Sequence, residues 1–430
     1  MPAKRKLRLS LCIAVQALLF ALSACSVPDE EELLPEPSVS CPGFVPISMT
    51  AEEQARHDEV QHFIAQDYAE AGWVILKTTR TCGGDVWDWL DAASVPGSEI
   101  DPPPLPEIEL PPGVELQLTE LDGQPDLQGP LGSVPMIRPG FGPYVFGEVP
   151  ADSVEDFVAR SVVSVPGQPD GQNRLYAGIY KVAPNIQVQS YINAYEGKVE
   201  ETIMSVMEMA VTCQGSDPET TLELVGVAAS RDKANFDSDK GGPAKTRLQV
   251  EFLTAGVKET GDDKGGWHIS DRTGFIPAKY APYGPGVALD DPKVGLQEAL
   301  YEIHNLTGNW WILHNGHWLG YYPAHLFDVM TYEACEIHVY GEVYDGTPTS
   351  WTSSDMGSGK FASAGWGKAA HFRKPRYVDT DGMYQWPDSA KEATPIDPLC
   401  YTSSGLLNEG GDSERIIYTS GPGGDSQGCN

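Results

Sequence analysis

The sequence predicts an all-β protein whose main part is an antiparallel β-sandwich, preceded by a small α-containing region and a proline-rich linker. From about Phe141 onward, short apolar runs alternate with turns that carry Gly beside Asp or Asn, and long helical periodicity is nearly absent. Two stacked sheets are the architecture that such strands favour. We therefore divide the chain into a targeting segment at residues 1–25, the α-containing region with its linker at 26–140, and the sandwich at 141–430.

The first 25 residues have the composition of an export segment. A basic start, MPAKRKLRLS, is followed by an apolar stretch, LCIAVQALLFALSAC, that ends in small residues and is too short to span a membrane. Its end, LSAC at 22–25, resembles the bacterial lipobox, in which Cys25 is lipidated after cleavage. Ordinary cleavage nearby, with Cys25 unmodified, is the alternative. Both predict an exported protein, and lipidation would anchor it in the cell envelope.

A tether, a helix and a proline-dense stretch are predicted ahead of the sandwich. Residues 26–45 are acidic and proline-rich, as in a tether. Thr50 and Glu53 form a capping box before an apolar pattern of helical spacing. The apolar positions of this pattern are Val60, Phe63, Ile64 and Tyr68. The run 95–143, which includes DPPPLPEIELPPG, is predicted to be extended and exposed.

Charge and composition narrow the class of partners. The chain has 29 Lys and Arg against 61 Asp and Glu, which gives a net charge of −32. This excess of negative charge argues against nucleic acids and anionic lipid surfaces as partners. With 41% hydrophobic residues, the chain is able to build a sizeable core.

Six cysteines remain outside the targeting segment. They are Cys41, Cys82, Cys213, Cys335, Cys400 and Cys429. An even number in an exported chain favours disulfides, and no two of them have the C-x-x-C spacing of a zinc site. We expect neither a metal nor a cofactor. Spacing does not fix the pairing, although a bridge from Cys400 to Cys429 would pin the Gly- and Ser-rich tail, and one from Cys41 to Cys82 would staple the helical segment.

Carboxylates on strands are the main candidates for chemistry. The chain lacks a G-x-S-x-G elbow, an H-E-x-x-H helix and the Asp-Thr/Ser-Gly pattern of aspartic peptidases. The even number of cysteines leaves none over to nominate as a thiol nucleophile. The strand CEIHVYGEVYDG, at 335–346, alternates apolar residues such as Ile337 and Val339 with a second face that carries Glu342. By pattern alone, that second face is either a wet surface or a cleft.

Several motifs in the second half of the chain agree in order and approximate spacing with one family. These are TGNWWI at 307–312, LGYYPAHLF at 319–327, YGEVYD at 340–345, MGSGKFASAGWGKAAHFRK at 356–374 and the terminal CY to GCN. They resemble the neprosin family, which comprises secreted glutamic peptidases made behind an activation segment. GSVPMIR, at 132–138, is similar to the family's sequence near the end of the propeptide.

The resemblance implies a cleft with two glutamates and an acid-active endopeptidase that cuts peptides and proteins after proline. Glu342 matches the family's second glutamate. Glu223, in TLELVGVAAS upstream of TRLQVEF, is nominated as the first, with Glu208 in SVMEMAV as the reserve candidate. The resemblance also implies that residues 26–140 include a propeptide-like segment. We hypothesise that acidification or proteolysis near Arg138 frees the cleft.

Two glutamates are able to hydrolyse a peptide bond if they titrate apart. One must deprotonate a water while the other holds a proton for the developing oxyanion, and like charges in a shared cleft separate their pKa values. Activity should then fall as pH rises. Aromatic faces suit proline rings, and the tyrosines predicted to line a substrate groove are Tyr340, Tyr344, Tyr321 and Tyr322.

Two other function classes fit a sandwich that carries paired carboxylates. A glycoside hydrolase would use the same groups and similar aromatic residues. A non-catalytic surface lipoprotein would keep the sandwich for binding alone. Release of peptides with C-terminal proline, against release of reducing sugar or of neither product, separates the three classes.

Overall fold

The protein was analysed as a computed structural model that describes residues 51–82, 84–107, 115–138, 174–193, 195, 197–199, 204–214, 221–232, 245–254, 265–268, 274–289, 297–344, 354–393, 399–409 and 415–424. All of these residues belong to one compact unit, Pro35–Asn430. The predicted targeting segment with Cys25, and the tether, lie outside the described residues.

One α-helix and many strands make up the described part of the chain. The helix is α1 (Ala51–Ala71), and short 3-10 helices lie at Pro125–Leu127, Ala324–Leu326 and Ala362–Ala364. The strands are β1 (Ile75–Arg80), β2 (Val86–Asp91), β3 (Glu115–Leu116), β4 (Ser133–Arg138), β5 (Arg174–Ile192), β6 (Met204–Gln214), β7 (Leu222–Asp232), β8 (Arg247–Leu253), β9 (Gly265–His268), β10 (Ile276–Pro277), β11 (Gln297–Leu306), β12 (Asn309–His314), β13 (His317–Tyr322), β14 (Ala334–Tyr344), β15 (His371–Asp379), β16 (Tyr384–Gln385), β17 (Lys391–Ala393), β18 (Thr402–Ser403), β19 (Leu407–Asn408) and β20 (Arg415–Ser420).

The long strand β5 takes part in two antiparallel layers. Its first half pairs with β14, and the pairing continues through β6, β7 and β8 to β9, with β17 on the other edge of β5. We call this layer the front sheet. The second half of β5 pairs with β11 and β15 in the back sheet, which extends through β12 and β13 to β10 on one side and to β20 on the other.

One hydrophobic core lies between the two layers. Val225 and Val339 of the front sheet share a single buried cluster with Tyr301, Ile312 and Leu319 of the back sheet. The alternation that predicted a core face for β14 holds, since Ile337 and Val339 are buried in this cluster. The prediction of an all-β, sandwich-like fold is confirmed.

The predicted helix is present. Its first turn begins at Ala51, one residue after the predicted cap Thr50, which lies outside the described residues. Ile64 and Tyr68 are buried as the spacing predicts, whereas the side chains of Val60 and Phe63 lie outside the described part of the chain. Among the described residues, no helix combines the length and apolar character needed to cross a membrane.

The proline-dense stretch is only partly the exposed linker that the sequence predicts. Residues 101–107 have neither helix nor strand, and Leu105 is exposed. The prediction is wrong for residues 115–138, because Leu121, Leu127 and Ile137 are buried in the same core cluster as the sandwich. Apolar residues spaced among the prolines supply the surface that this docking buries.

The first described segment forms a small sheet that is tied to the sandwich. β2 pairs with β1 and β4, and β3 adds a parallel strand to β11 of the back sheet. Trp318 donates from Nε1 to the carbonyl oxygen of Pro103 at 2.9 Å, and Ser98 donates to that of Pro277 at 2.8 Å. The described part of the 26–140 region therefore packs directly against the sandwich.

One of the expected disulfides is fully visible. Cys213 of β6 is bonded to Cys335 of β14, just beyond the last paired residues of these two neighbouring strands. Cys82 and Cys400 are also disulfide-bonded. Their predicted partners Cys41 and Cys429 lie outside the described residues, so these two pairings stay predictions.

Candidate active site

Glu342 lies on the face of the front sheet that points away from the core. The same face of β14 carries Tyr340, which is paired across the strands with Glu208 of β6. Glu208 and Glu342 are both buried, with 0% and 1% of their surface exposed. The reserve candidate, Glu208, therefore lies beside Glu342 in the sheet.

A third carboxyl group, that of Glu251 on β8, lies on this face on the other side of β7 from Glu208. Gly226 of β7 is paired with Ala210 of β6 on one side and with Glu251 of β8 on the other. A Cβ at position 226 would lie 2.4 Å from Oε1 of Glu208 and 3.1 Å from Oε1 of Glu251. Glycine therefore leaves the space in which the two carboxyl groups approach each other across β7.

The neighbours of Glu208 favour its protonated form. Burial raises the pKa of Glu208 well above its ordinary value, and the charges of Glu251 and Glu342 act in the same direction, while the hydroxyl of Tyr340 opposes them. The side chain of Glu208 also interacts through hydrogen bonds with Glu251 and Tyr340. Glu208 is thus a buried acid whose surroundings favour its protonated form.

Tyr340 is the aromatic residue of this face that the sequence predicted and the structure places beside the carboxyl groups. Burial raises its pKa well above the ordinary value, and so do the charges of Glu208, Glu251 and Glu342. Its ring meets that of Tyr176 edge to face at 5.4 Å. The phenol therefore stays neutral, and Tyr176 on β5 extends the aromatic wall.

The structure does not bring Glu223 to Glu342. Glu223 has the parity of the core residues Val225 and Val227, so it points to the opposite face of β7. Its carboxylate accepts hydrogen bonds from three successive backbone N–H groups, those of Asp328, Val329 and Met330, at 2.7 to 3.0 Å. The predicted pairing of Glu223 with Glu342 is therefore corrected, because Glu223 holds the loop at residues 328–330. Burial raises the pKa of Glu223, while the three backbone hydrogen bonds oppose the rise.

Two of the tyrosines predicted to contact substrate are placed elsewhere. Tyr322 is fully buried in the core, with its ring 4.9 Å from that of Phe252. Tyr321 packs on Trp311 at 4.5 Å and donates its hydroxyl to the carbonyl oxygen of Gly97 at 3.2 Å. Both assignments are corrected, because these side chains are occupied by packing within the chain. The side chain of Tyr344 lies outside the described residues.

Sequence reasoning missed two polar residues of β8. Gln249 and Glu251 alternate with the core residues Leu248, Val250 and Phe252, so strand parity alone was able to place them on the outer face. Gln249 is completely buried. What the sequence does not reveal is that β8 lies two strands from β6, which brings Glu251 to Glu208 over Gly226.

The comparisons with known proteins agree with the motifs. Residues 242–422 match the family model described as Neprosin. Glu251 and Glu342 lie inside this range and Glu208 lies before it.

Among solved structures, the chain is similar to scytalido-glutamic peptidase with a peptide-based transition state analog, at a TM-score of 0.32 and 9% identity over 59% of this chain and 98% of that chain. It is similar to SCP-B, a member of the Eqolisin family of peptidases, at a TM-score of 0.29 and 7% identity over 59% and 98% of the two chains. The likeness to a family therefore rests on residues 242–422, which match the neprosin family model.

Proposed function

We propose that this protein is an exported, acid-active glutamic endopeptidase that cleaves after proline, with Glu342 and Glu208 as its catalytic pair. The observation that carries the proposal is the convergence of three buried carboxyl groups, Glu208, Glu251 and Glu342, on one face of the front sheet. The match of residues 242–422 to the Neprosin family model supports the reaction class.

The reaction needs one ionised and one protonated carboxyl group. Glu342 takes a proton from a water molecule, whose oxygen bonds to the scissile carbonyl carbon. Glu208, whose pKa is raised by burial and by Glu251, donates its proton to the carbonyl oxygen as the tetrahedral intermediate forms. When the intermediate collapses, the C–N bond breaks, the leaving nitrogen receives the proton held by Glu342, and the carbonyl oxygen returns its proton to Glu208.

The preference for proline is supported by the aromatic residues beside the carboxyl groups. Tyr340 and Tyr176 meet edge to face and present ring surfaces next to Glu342. Proline rings pack well on such surfaces, and an extended peptide leaves its carbonyl groups open to hydrogen bonding. The family resemblance supports the same preference.

Export and lipidation are supported by the first 25 residues of the sequence. The basic start, the apolar stretch and LSAC at 22–25 would direct the chain out of the cytoplasm and place a lipid on Cys25. We expect Cys25→Ala to move the protein from the membrane fraction to the soluble fraction. Retention of the variant in membranes would contradict lipid anchoring.

The function is tested by digestion of a peptide library across the acid range. We expect wild type to release peptides with C-terminal proline between about pH 2 and 6, the range over which carboxyl groups exchange a proton. Glu342→Gln should be inactive in the same assay. Wild type that cleaves no peptide in this range, or that instead releases reducing sugar from polysaccharides, would overturn the proposal.

A further inference from the structure

A hairpin of the back sheet holds an arginine whose charge no described residue neutralises. Strand β16 pairs with the end of β15, where Arg376 points away from the core because its neighbour Tyr377 is a core residue. The guanidinium carbon of Arg376 lies 5.0 Å from the ring centre of Tyr384 and 5.7 Å from that of Trp386. The side chain makes no hydrogen bond or ion pair to a described residue, and its Nε is buried without an acceptor. Arg376 is therefore held by two rings and by no carboxylate of the described chain.

The acidic residues nearest to this arginine in the sequence have other partners. Asp379 accepts hydrogen bonds from three donors of its own hairpin at 2.8 to 3.1 Å, and Asp388 forms an ion pair with Arg415. Arg415 also lies over Trp386, with its guanidinium carbon 5.0 Å from the ring centre. Trp386 thus contacts two arginines, of which Arg415 is paired with a carboxylate and Arg376 is not. Because the chain has 61 Asp and Glu against 29 Lys and Arg, an arginine left without an acid calls for an explanation.

The surface around Arg376 is open to solvent and largely apolar. Tyr384 is 54% exposed and Met383 is 61% exposed, while Arg376 and Trp386 are partly exposed. A guanidinium that packs on aromatic rings keeps the N–H groups at its edge available, and those groups bind a carboxylate through two parallel hydrogen bonds. The rings themselves pack on a compact apolar group. The ligand that fits is therefore a carboxylate attached to an apolar ring.

A peptide that ends in proline has both features. Its pyrrolidine ring lies next to its terminal carboxylate, which stays ionised above about pH 3.5. We propose that Arg376, Tyr384 and Trp386 form a second peptide site, which binds the prolyl C-terminus of a product on the side of the sandwich opposite Glu342. This inference rests on the proposed function, because hydrolysis after proline creates that terminus. Arg376 binds the carboxylate, and the two rings pack on the proline.

A ligand-observed NMR titration at pH 5 with N-acetyl-Ala-Pro and with its C-terminal amide tests the proposal. Wild type should bind the acid with a Kd of about 1 mM and the amide at least about 10-fold more weakly. Arg376→Gln should weaken binding of the acid by at least about 10-fold and leave binding of the amide unchanged. Equal weakening of both peptides would show that Arg376 only supports the rings, and would overturn its role. Affinity for the acid should also fall as pH drops below about 3.5.

Arg415→Gln is the matched control. Arg415 contacts the same ring of Trp386, but its charge is already paired with Asp388. Its replacement should therefore change the affinity for the acid by less than about twofold. Equal losses in Arg376→Gln and Arg415→Gln would overturn the site, because they would indicate a general effect of positive charge.

Other outcomes separate this site from the catalytic cleft. Unchanged binding of the acid in Arg376→Gln would place the peptide in the cleft alone and overturn the proposal, as would tighter binding of glucuronate than of the acid. If wild type cleaves proline peptides and does not bind the acid, the second site falls while the peptidase function stands. If the acid binds through Arg376 and wild type cleaves nothing, the peptidase function falls and the carboxylate site stands.

Discussion

Two buried carboxyl groups, Asp85 and Glu208, have the same burial and opposite electrostatic surroundings. Burial raises the pKa of Asp85, but Arg247 and Lys245 outweigh it and hold the value at about 2. Arg247 contacts both oxygens of Asp85, at 2.7 and 3.0 Å. At Glu208, burial and the neighbouring carboxylates all raise the pKa. Burial alone therefore does not mark a reactive carboxyl group, whereas the charge of its neighbours does.

The two clusters are close in the fold, which makes the difference informative. Arg247 and Glu251 lie on the same strand, β8, and on the same face of it. At the Arg247 end, the cation docks the small N-terminal sheet onto the sandwich through Asp85. At the Glu251 end, carboxyl groups face one another. One strand thus carries the cation of a structural ion pair and one of the three carboxyl groups of the candidate catalytic cluster.

The largest effect is expected at the reactive cluster. Glu342→Gln should lower kcat/KM on proline peptides by about 10³-fold, since a general base contributes a factor of this order. Tm should not fall, because the substitution removes a negative charge from a group of neighbouring carboxylates. Initial rates and thermal unfolding of the same preparations measure both effects.

Glu336→Gln is the control for this substitution. Glu336 lies on the same strand and face as Glu342 but hydrogen-bonds His338 at 3.1 Å and is partly exposed. The kcat/KM of Glu336→Gln should stay near that of wild type. Equal losses in the two variants would contradict a special role for Glu342.

At the ion pair of Asp85 and Arg247, a substitution should lower stability and leave the rate unchanged. Asp85→Asn leaves the buried guanidinium of Arg247 without its carboxylate and should destabilise the protein by about 3 kcal/mol. The rate per folded molecule should be unchanged. Chemical denaturation with activity measured on the folded fraction checks this. Asp101→Asn, which weakens a pair between Lys279 and the largely exposed Asp101, should have little effect on stability.

A smaller effect is expected when the third carboxyl group is neutralised. Because Glu251 raises the pKa of Glu208, Glu251→Gln should lower that pKa and move the alkaline limb of the pH–rate profile down by about one pH unit. The profile of kcat/KM against pH measures the shift. An unchanged or upward limb would show that Glu251 does not act on the acid.

The smallest expected effect concerns pH and the docking of the N-terminal sheet. Burial and Asp85 raise the pKa of Glu120 from 4.5 to about 8, so its contribution to stability is complete below pH 4.5 and is lost as pH rises through 8. The contribution of Asp85, whose pKa is lowered from 3.8, is complete above pH 3.8 and is lost as pH falls towards 2. Docking of the N-terminal sheet on the sandwich should therefore become more stable as pH falls from 8 to 4.5.

We therefore expect that mild acid does not release the N-terminal sheet. Wild type should unfold at a higher temperature at pH 5 than at pH 8, and Glu120→Gln should reduce the difference. Dissociation of the N-terminal sheet at pH 5, seen as loss of its hydrogen-exchange protection, would contradict the account and restore acid release as the trigger.

Local sequence patterns predicted much of the fold but only part of the site. Alternation in β14 placed Glu342 opposite the core correctly, because parity depends on one strand alone. Glu223 is nominated by the family resemblance, although Val225 and Val227 share its parity and mark a core face. Glu251 and Gln249 required knowledge of which strands are neighbours. The sequence does not predict the docking of residues 115–138, because prolines are typical of an exposed chain. Recognising the docking requires knowledge of the sandwich surface that these residues pack against.

The most direct test of the account compares Glu208→Gln with Glu223→Gln in cleavage of proline peptides at acid pH. We predict that Glu208→Gln lowers kcat/KM by at least about 100-fold and keeps its Tm. Glu223→Gln should keep its rate per folded molecule and lose stability, since three backbone N–H groups lose part of their acceptor. An active Glu208→Gln together with an inactive but folded Glu223→Gln would contradict the assignment of the catalytic pair.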